Sequence, residues 1–190
     1  IKNEGTRMAA LLSGELDFVL DPPVQDVLKL KQNKSVRVYE GRENRIVFIG
    51  MDQARDELLY SNVKGKNPFK DRRVREAMYR LIDVNAINKA VMRGLSVPTA
   101  INLPNPDRAG IPKDMDKRYP YDIAAAKKLL AEAGYPNGFE VTLDCPNNRY
   151  INDEKICVAI AGMVAKGGIT MKVNALPRAN YFPKAQRLDV

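Results

Sequence analysis

FEVTLDCPNNRYINDEKICVAIAGMVAKGGITMKV, residues 139–173, is the stretch that decides the fold. Residues 139–143 read as a strand, rich in apolar and β-branched side chains. Asp153 opens a helix in which Ile156, Ala159, Ile160 and Met163 recur at helical spacing. Gly167-Gly168 stops that helix, and residues 169–173 read as a second strand. Two strands joined by one helix are expected to pair in parallel through a right-handed crossover.

Working outward, Pro177 leads into a last helix with Tyr181, Phe182 and Ala185. Before the crossover, Asp122 caps a helix with Ala125, Ala126, Leu129 and Leu130 on its apolar side, and Gly134 ends it. Residues 96–121 hold Pro98, Pro104, Pro106, Pro112 and Pro120, so they form neither a regular helix nor a central strand and are expected to wrap a surface. Asp71 caps a helix whose core face is Val74, Ala77, Met78, Leu81 and Ile82. Asp83 caps a short follower with Ile87, Ala90 and Val91, closed by Gly94. Residues 52–70 are polar and irregular and read as a connection. At the start, Thr6 is expected to cap a helix with Met8, Ala9, Leu11 and Leu12, stopped by Gly14. Pro22-Pro23 starts another, with Val24, Val27, Leu28 and Leu30 facing inward. Residues 16–20, 36–39 and 46–49 read as strands, the last buried on both faces. This order of elements argues an α/β fold with more than one subdomain.

Composition narrows the function. The chain has 190 residues, 45% hydrophobic and 28% charged, an ordinary globular balance. It has no apolar run of about 18 residues, the length of a membrane-spanning helix. Residues 1–20 do not show the pattern of a signal peptide. The first residues open almost directly on a helix and the last stop at a strand-like start, so both ends read as internal to a longer chain. The net charge of +8 raises nucleic acid as a partner. The basic stretch at residues 55–75 is interrupted by Asp56, Glu57 and Asp71 and lacks interleaved aromatics, so it reads as a solvated face and no nucleic-acid partner is expected. Histidine is absent, which removes the usual zinc, haem and triad chemistries, and no metal or cofactor is expected. No phosphate loop or nucleophile elbow is found, so no enzyme is expected. Cys145 and Cys157 are compatible with two free thiols or with a disulfide, the latter in an oxidising compartment.

One loop carries binding chemistry. Cys145-Pro146-Asn147-Asn148-Arg149-Tyr150-Ile151-Asn152-Asp153 joins the carboxyl end of a strand to a helix amino terminus, where ligands of α/β sheets collect. The helix end offers free N–H groups and partial positive charge. Arg149 can hold a carboxylate bidentately, with Tyr150 as a wall. The same residues also fit a surface arginine on a turn with a tyrosine packed over the core.

Four blocks in order, residues 6–19, 67–77, 82–94 and 119–135, together resemble the family 5 extracellular solute-binding proteins of peptide and nickel ABC importers. Residues 6–19, TRMAALLSGELDFV, resemble the family's Leu-Ser-Gly stretch ahead of a lobe strand. Asn67-Pro68-Phe69-Lys70-Asp71-Arg72-Arg73-Val74-Arg75-Glu76-Ala77 is similar to its most recognisable signature. Ile82-Asp83, Ile87 and Gly94 continue it. Tyr119-Pro120-Tyr121-Asp122 and residues 125–135 resemble the next block.

The resemblance implies a type II, cluster C periplasmic binding protein-like fold with only parts of both lobes present. Residues 1–53 would be the late part of the first lobe, ending at the interlobe crossover, and residues 54–190 the beginning and middle of the second. It implies the substrate-binding component of an ABC importer, which captures di- or oligopeptides outside the cytoplasmic membrane for permease subunits. Contact with the membrane would run only through the permease or a lipid anchor outside this fragment. The implied ligand-facing residues are Asn148, Arg149 and Tyr150, with Met51 and Asp52 at the crossover and Asp21 after the first strand. The family usually carries Asn near Asp52, so the hinge contact of relatives does not transfer directly. A periplasmic setting favours a Cys145–Cys157 disulfide. The alternatives are the same fold binding a nickel chelate, a sugar or haem, or serving as the sensor domain of a transcriptional regulator.

Overall fold

Helix starts follow from short polar side chains that satisfy free backbone N–H groups. The computed structural model describes residues 1, 3–104, 110–112 and 114–190; Pro106 lies outside the described residues. Its helices are α1 (Glu4–Ser13), α2 (Val24–Gln32), α3 (Arg72–Leu81), α4 (Val84–Ala90), α5 (Ile123–Glu132), α6 (Asp153–Ala165) and α7 (Arg178–Gln186). The strands are β1 (Glu140–Pro146) and β2 (Thr170–Leu176). Asp71, Asp83 and Asp122 cap α3, α4 and α5 as the sequence predicts, each accepting a backbone N–H two or three residues on. The cap of α1 is Asn3 and not Thr6. The Asn3 side chain accepts the Thr6 N–H at 2.9 Å, so the helix begins earlier and takes Thr6 inside. In α2, Val24, Val27 and Leu30 are buried, whereas Leu28 points to solvent, 63% exposed.

The core gathers around α3. Val74, Ala77, Met78 and Leu81 are buried against Ala126 and Leu130 of α5, Ile160 and Val164 of α6, and Phe139 and Ile169 at the strand entrances. Phe139 meets Phe69 and Tyr135 edge-on, with centroids 6.0 and 5.2 Å away. The expected crossover is present. β1 and β2 run parallel, in register from Glu140 opposite Thr170 to Pro146 opposite Leu176, with α6 between them. At the strand entrances Gly138 (φ 71) and Gly168 (φ 96) meet backbone to backbone: a Cβ on Gly138 would stand 2.0 Å from the Gly168 carbonyl oxygen.

The connection 52–70 ends in a 3-10 turn, Pro68–Lys70, and covers the other edge of β1. Thr142 donates its N–H to the Tyr60 carbonyl at 3.0 Å, and Glu140 donates its N–H to the Asn62 side chain at 2.8 Å. Near the end of the proline-rich segment, Arg118 and Tyr119 pack on α3 through cations and rings. Arg118 sits 4.0 Å from the Tyr79 ring centroid and Arg80 sits 4.8 Å from that of Tyr119.

Residues 16–20, 36–39 and 46–49 form no strand, contrary to the sequence expectation. A strand needs a neighbour to complete its ladder, and the two paired strands of the described residues lie elsewhere. Phe18, Tyr39, Val47 and Phe48 are accordingly exposed.

Gly138→Ala should therefore lower the unfolding free energy by at least about 2 kcal/mol, from the left-handed backbone and the blocked contact together. Urea unfolding followed by circular dichroism checks this. An unchanged midpoint would mean that the glycine contact does not constrain the sheet.

Candidate functional site

The parallel register delivers the loop of residues 147–152 to the carboxyl edge of the sheet. Asn147 donates its N–H to the Leu176 carbonyl at 2.9 Å, extending the ladder by one step. Asn148 accepts the Arg178 N–H at 2.7 Å, which ties the loop to the start of α7 and commits that side-chain oxygen to the fold. Asn152 takes a left-handed backbone (φ 55) and donates its side-chain amide to the Val91 carbonyl at 2.9 Å.

The helix amino terminus is already occupied. Asp153 is buried, and one of its carboxylate oxygens accepts the N–H of Arg149 at 2.9 Å and of Tyr150 at 3.0 Å. Its other carboxylate oxygen accepts the Glu154 N–H at 3.0 Å, so one internal carboxylate engages two loop amides and one amide of the helix end.

Arg149 is exposed and makes no ion pair among the described residues, and its guanidinium lies 4.9 Å from the Tyr150 ring centroid. A second guanidinium, Arg45, lies 5.4 Å from the same centroid and is ion-paired to Glu43. Tyr150 thus joins two cations from distant parts of the chain. Sequence reasoning missed Arg45, whose only local signal is a basic residue just ahead of an apolar run.

The other expected residues stand apart from this group. Met51 is half-buried against the core. Asp52 accepts the Ala54 N–H at 2.9 Å and pairs with Arg55 at 2.6 Å. Burial alone would raise its carboxyl, but the Arg55 and backbone hydrogen bonds outweigh that and hold it below the ordinary range. It acts as a turn lock. Asp21 is exposed, with a left-handed backbone (φ 51).

Behind the loop is a polar cluster that the sequence did not announce. Asp144 of β1, with a side chain only 3% exposed, pairs with Lys184 of α7 at 2.7 Å and accepts the Asn174 amide at 2.5 Å. Lys184 also sits 4.3 Å from the Tyr60 ring centroid. Burial acts to lower the Lys184 ammonium, yet the Asp144 hydrogen bond leaves it raised, and the contact pins α7 across the strand ends.

Cys145 and Cys157 lie in hydrogen-bonding contact as two unbonded thiols, one of the two states that the sequence leaves open. The crossover supplies proximity, whereas the bond is a redox state that proximity does not set. Burial pushes both thiols up, Cys157 the more strongly.

Among known proteins, the model of the bacterial extracellular solute-binding proteins, family 5 Middle, matches residues 1–190. Heme-binding protein A of Haemophilus influenzae is 36% identical over 135 residues, covering 71% of this chain and 22% of that protein. Glutathione-binding protein GsiB of Shigella flexneri is 31% identical over 176 residues, covering 93% of this chain and 32% of that protein. The ABC transporter-associated periplasmic binding protein DppA from Helicobacter pylori, in complex with peptide STSA, superposes with a TM-score of 0.74 at 28% identity, over 97% of this chain and 33% of that one. The chain therefore spans about a third of these relatives or less. Such structures are type II periplasmic binding proteins, and the mixed α/β arrangement here is a partial copy of that fold.

Because the thiolate is the reactive form, both cysteines should react with iodoacetamide at pH 8 at least about tenfold more slowly in the native chain than in urea. Equal rates would show that burial does not hold the thiols protonated.

Proposed function

This chain belongs to the bacterial extracellular solute-binding proteins of family 5, and from that premise we propose that it is part of the peptide-capturing component of an ABC importer. It takes up di- or oligopeptides on the periplasmic side of the cytoplasmic membrane and passes them to permease subunits. Residues 1–53 belong to one lobe and residues 54–190 to the other. The protein works by conformational capture and not by catalysis: solute enters between open lobes, and closure removes it from water.

The observation that carries this reading is Arg149. An exposed guanidinium without an acidic partner among the described residues, held on the Tyr150 ring at the carboxyl edge of a parallel pair, suits the terminal carboxylate of a peptide. Asp153 supports it by holding the loop amides, so the anchor is presented in one shape. The peptide in the DppA complex and the glutathione in the name of GsiB point to the same class of solute. Haem has the likeness to heme-binding protein A behind it. With no histidine in these 190 residues, an iron ligand from this chain would have to be another side chain.

Thermal shifts of the full-length protein with di-, tri- and oligopeptides, against haem, sugars and nickel chelates, test the solute class. A shift with peptides alone is expected. A shift only with a comparator keeps the carrier mechanism and overturns the peptide assignment. Arg149→Ala should weaken peptide binding by about 2 kcal/mol, roughly thirtyfold. An unchanged affinity would remove Arg149 from the site.

A further inference from the structure

A cavity of about 300 Å³ opens beside the Arg149 loop, lined by Gln25, Ala90, Val91, Arg93, Asn152 and Lys155. It joins α2 to the turn after α4 and to the first turn of α6. Two of its six lining residues are cations and none is acidic. Neither Arg93 nor Lys155 makes an ion pair among the described residues.

The wall is held in an unusual shape. Arg93 (φ 53) and Asn152 (φ 55) both take the left-handed backbone, uncommon for arginine in particular. The Asn152 amide, bonded to the Val91 carbonyl, fastens the two turns to each other. Asn152 also closes the loop that carries Arg149 and Tyr150, so the cavity and the arginine–tyrosine stack share one backbone. Asp153, the nearest buried carboxylate in sequence, is turned to the Arg149 and Tyr150 amides. Glu43 is engaged by Arg45.

From this arrangement we infer that the cavity is a second anion-recognition position and that the solute is an acidic peptide, carrying a side-chain carboxylate besides its terminal one. The inference rests on the reading of Arg149 as the anchor for the terminal carboxylate. Three residues of extended chain span at most roughly 10 Å, so the positions at residues 149 and 152 lie within that reach of each other. Asn152 lines the cavity, so its wall begins within that reach of the Arg149 backbone, where an acidic side chain near the peptide's carboxyl end can address it. Arg93 and Lys155 take the side-chain carboxylate, and Arg149 takes the terminal one.

Calorimetric titration of the full-length protein with Ala-Glu-Ala and Ala-Gln-Ala isolates the charge, because the two peptides are nearly isosteric. The glutamate peptide is expected to bind about tenfold more tightly, as one charge-assisted contact supplies. In the Arg93→Gln, Lys155→Gln double variant that preference should vanish while Ala-Gln-Ala binds as before. Lys155→Gln alone, a surface change at the start of α6, should reduce the preference and serves if the double variant melts early. Equal affinity for the two peptides, or a preference that survives in the double variant, overturns the inference and leaves the peptide-carrier reading standing. Failure of both peptides to bind overturns that reading and this inference with it.

Discussion

The contact between Gly138 and Gly168 is the constraint on which the rest depends. Both residues need a left-handed backbone, and neither a Cβ on Gly138 nor any spacing between the two loops fits there. Where they meet, β1 and β2 enter the sheet at the same level, and the register follows residue by residue to Pro146 and Leu176. Gly167 extends the constraint into the core, since a Cβ there would stand 2.5 Å from Leu81, the fully buried end of α3. Three glycines thus act together: Gly138 and Gly168 set the strands against each other, and Gly167 sets the end of α6 against α3. A shift of one residue at this point would move the loop at the far end of both strands.

At that far end, electrostatics takes over from packing. The usual service of a helix amino terminus in α/β proteins is to receive an anion from outside. Here Asp153 supplies the anion from within, and its buried carboxylate organises the amides of Arg149 and Tyr150. The loop becomes a fixed platform whose outward chemistry is cationic. The Asp144–Lys184 pair performs a similar task one layer below, bracing α7 against the strand ends so that Asn148 can accept from Arg178. Breaking either carboxylate leaves amides or an ammonium without a partner, which costs more than the pair itself contributes.

What was legible in the sequence is what is decided locally. Asp71, Asp83 and Asp122 announce their helices because a cap acts within three residues, and the crossover is legible because glycines and apolar spacing mark its ends. Asn3 was overlooked because Thr6, three residues on, is an equally good capping type. The apolar runs at residues 16–20, 36–39 and 46–49 have the composition of strands, but a ladder depends on a neighbour that local composition does not reveal. The position of Arg149 and Tyr150 between strand and helix is legible, because it follows from chain order, and their part in the candidate site is a proposal. Arg45, Arg93 and Lys155 join that site only through the folding of separate segments, and no spacing rule connects residues 45, 93 and 155.

In the proposed two-lobe reading, the packing changes near residue 50. Met8, Ala10, Val24, Val27 and Leu30 are buried in the first 32 residues, apart from the main cluster, whereas Ile49 and Met51 already pack against that cluster. Just beyond, Asn67 is buried and uses its side chain three times, donating to the carbonyls of Asp52 and Arg55 and accepting the Phe69 N–H. Asp52 locks the same turn through Arg55. The backbone after Met51 is therefore tied to the turn that leads into α3. A hinge placed near residue 50 would let the α2 wall of the cationic cavity move against the Arg93, Asn152 and Lys155 wall. A solute held by Arg93 and Lys155 on one wall and by the Gln25 amide on the other would then favour the closed arrangement over the open one, which is the differential affinity that closure requires.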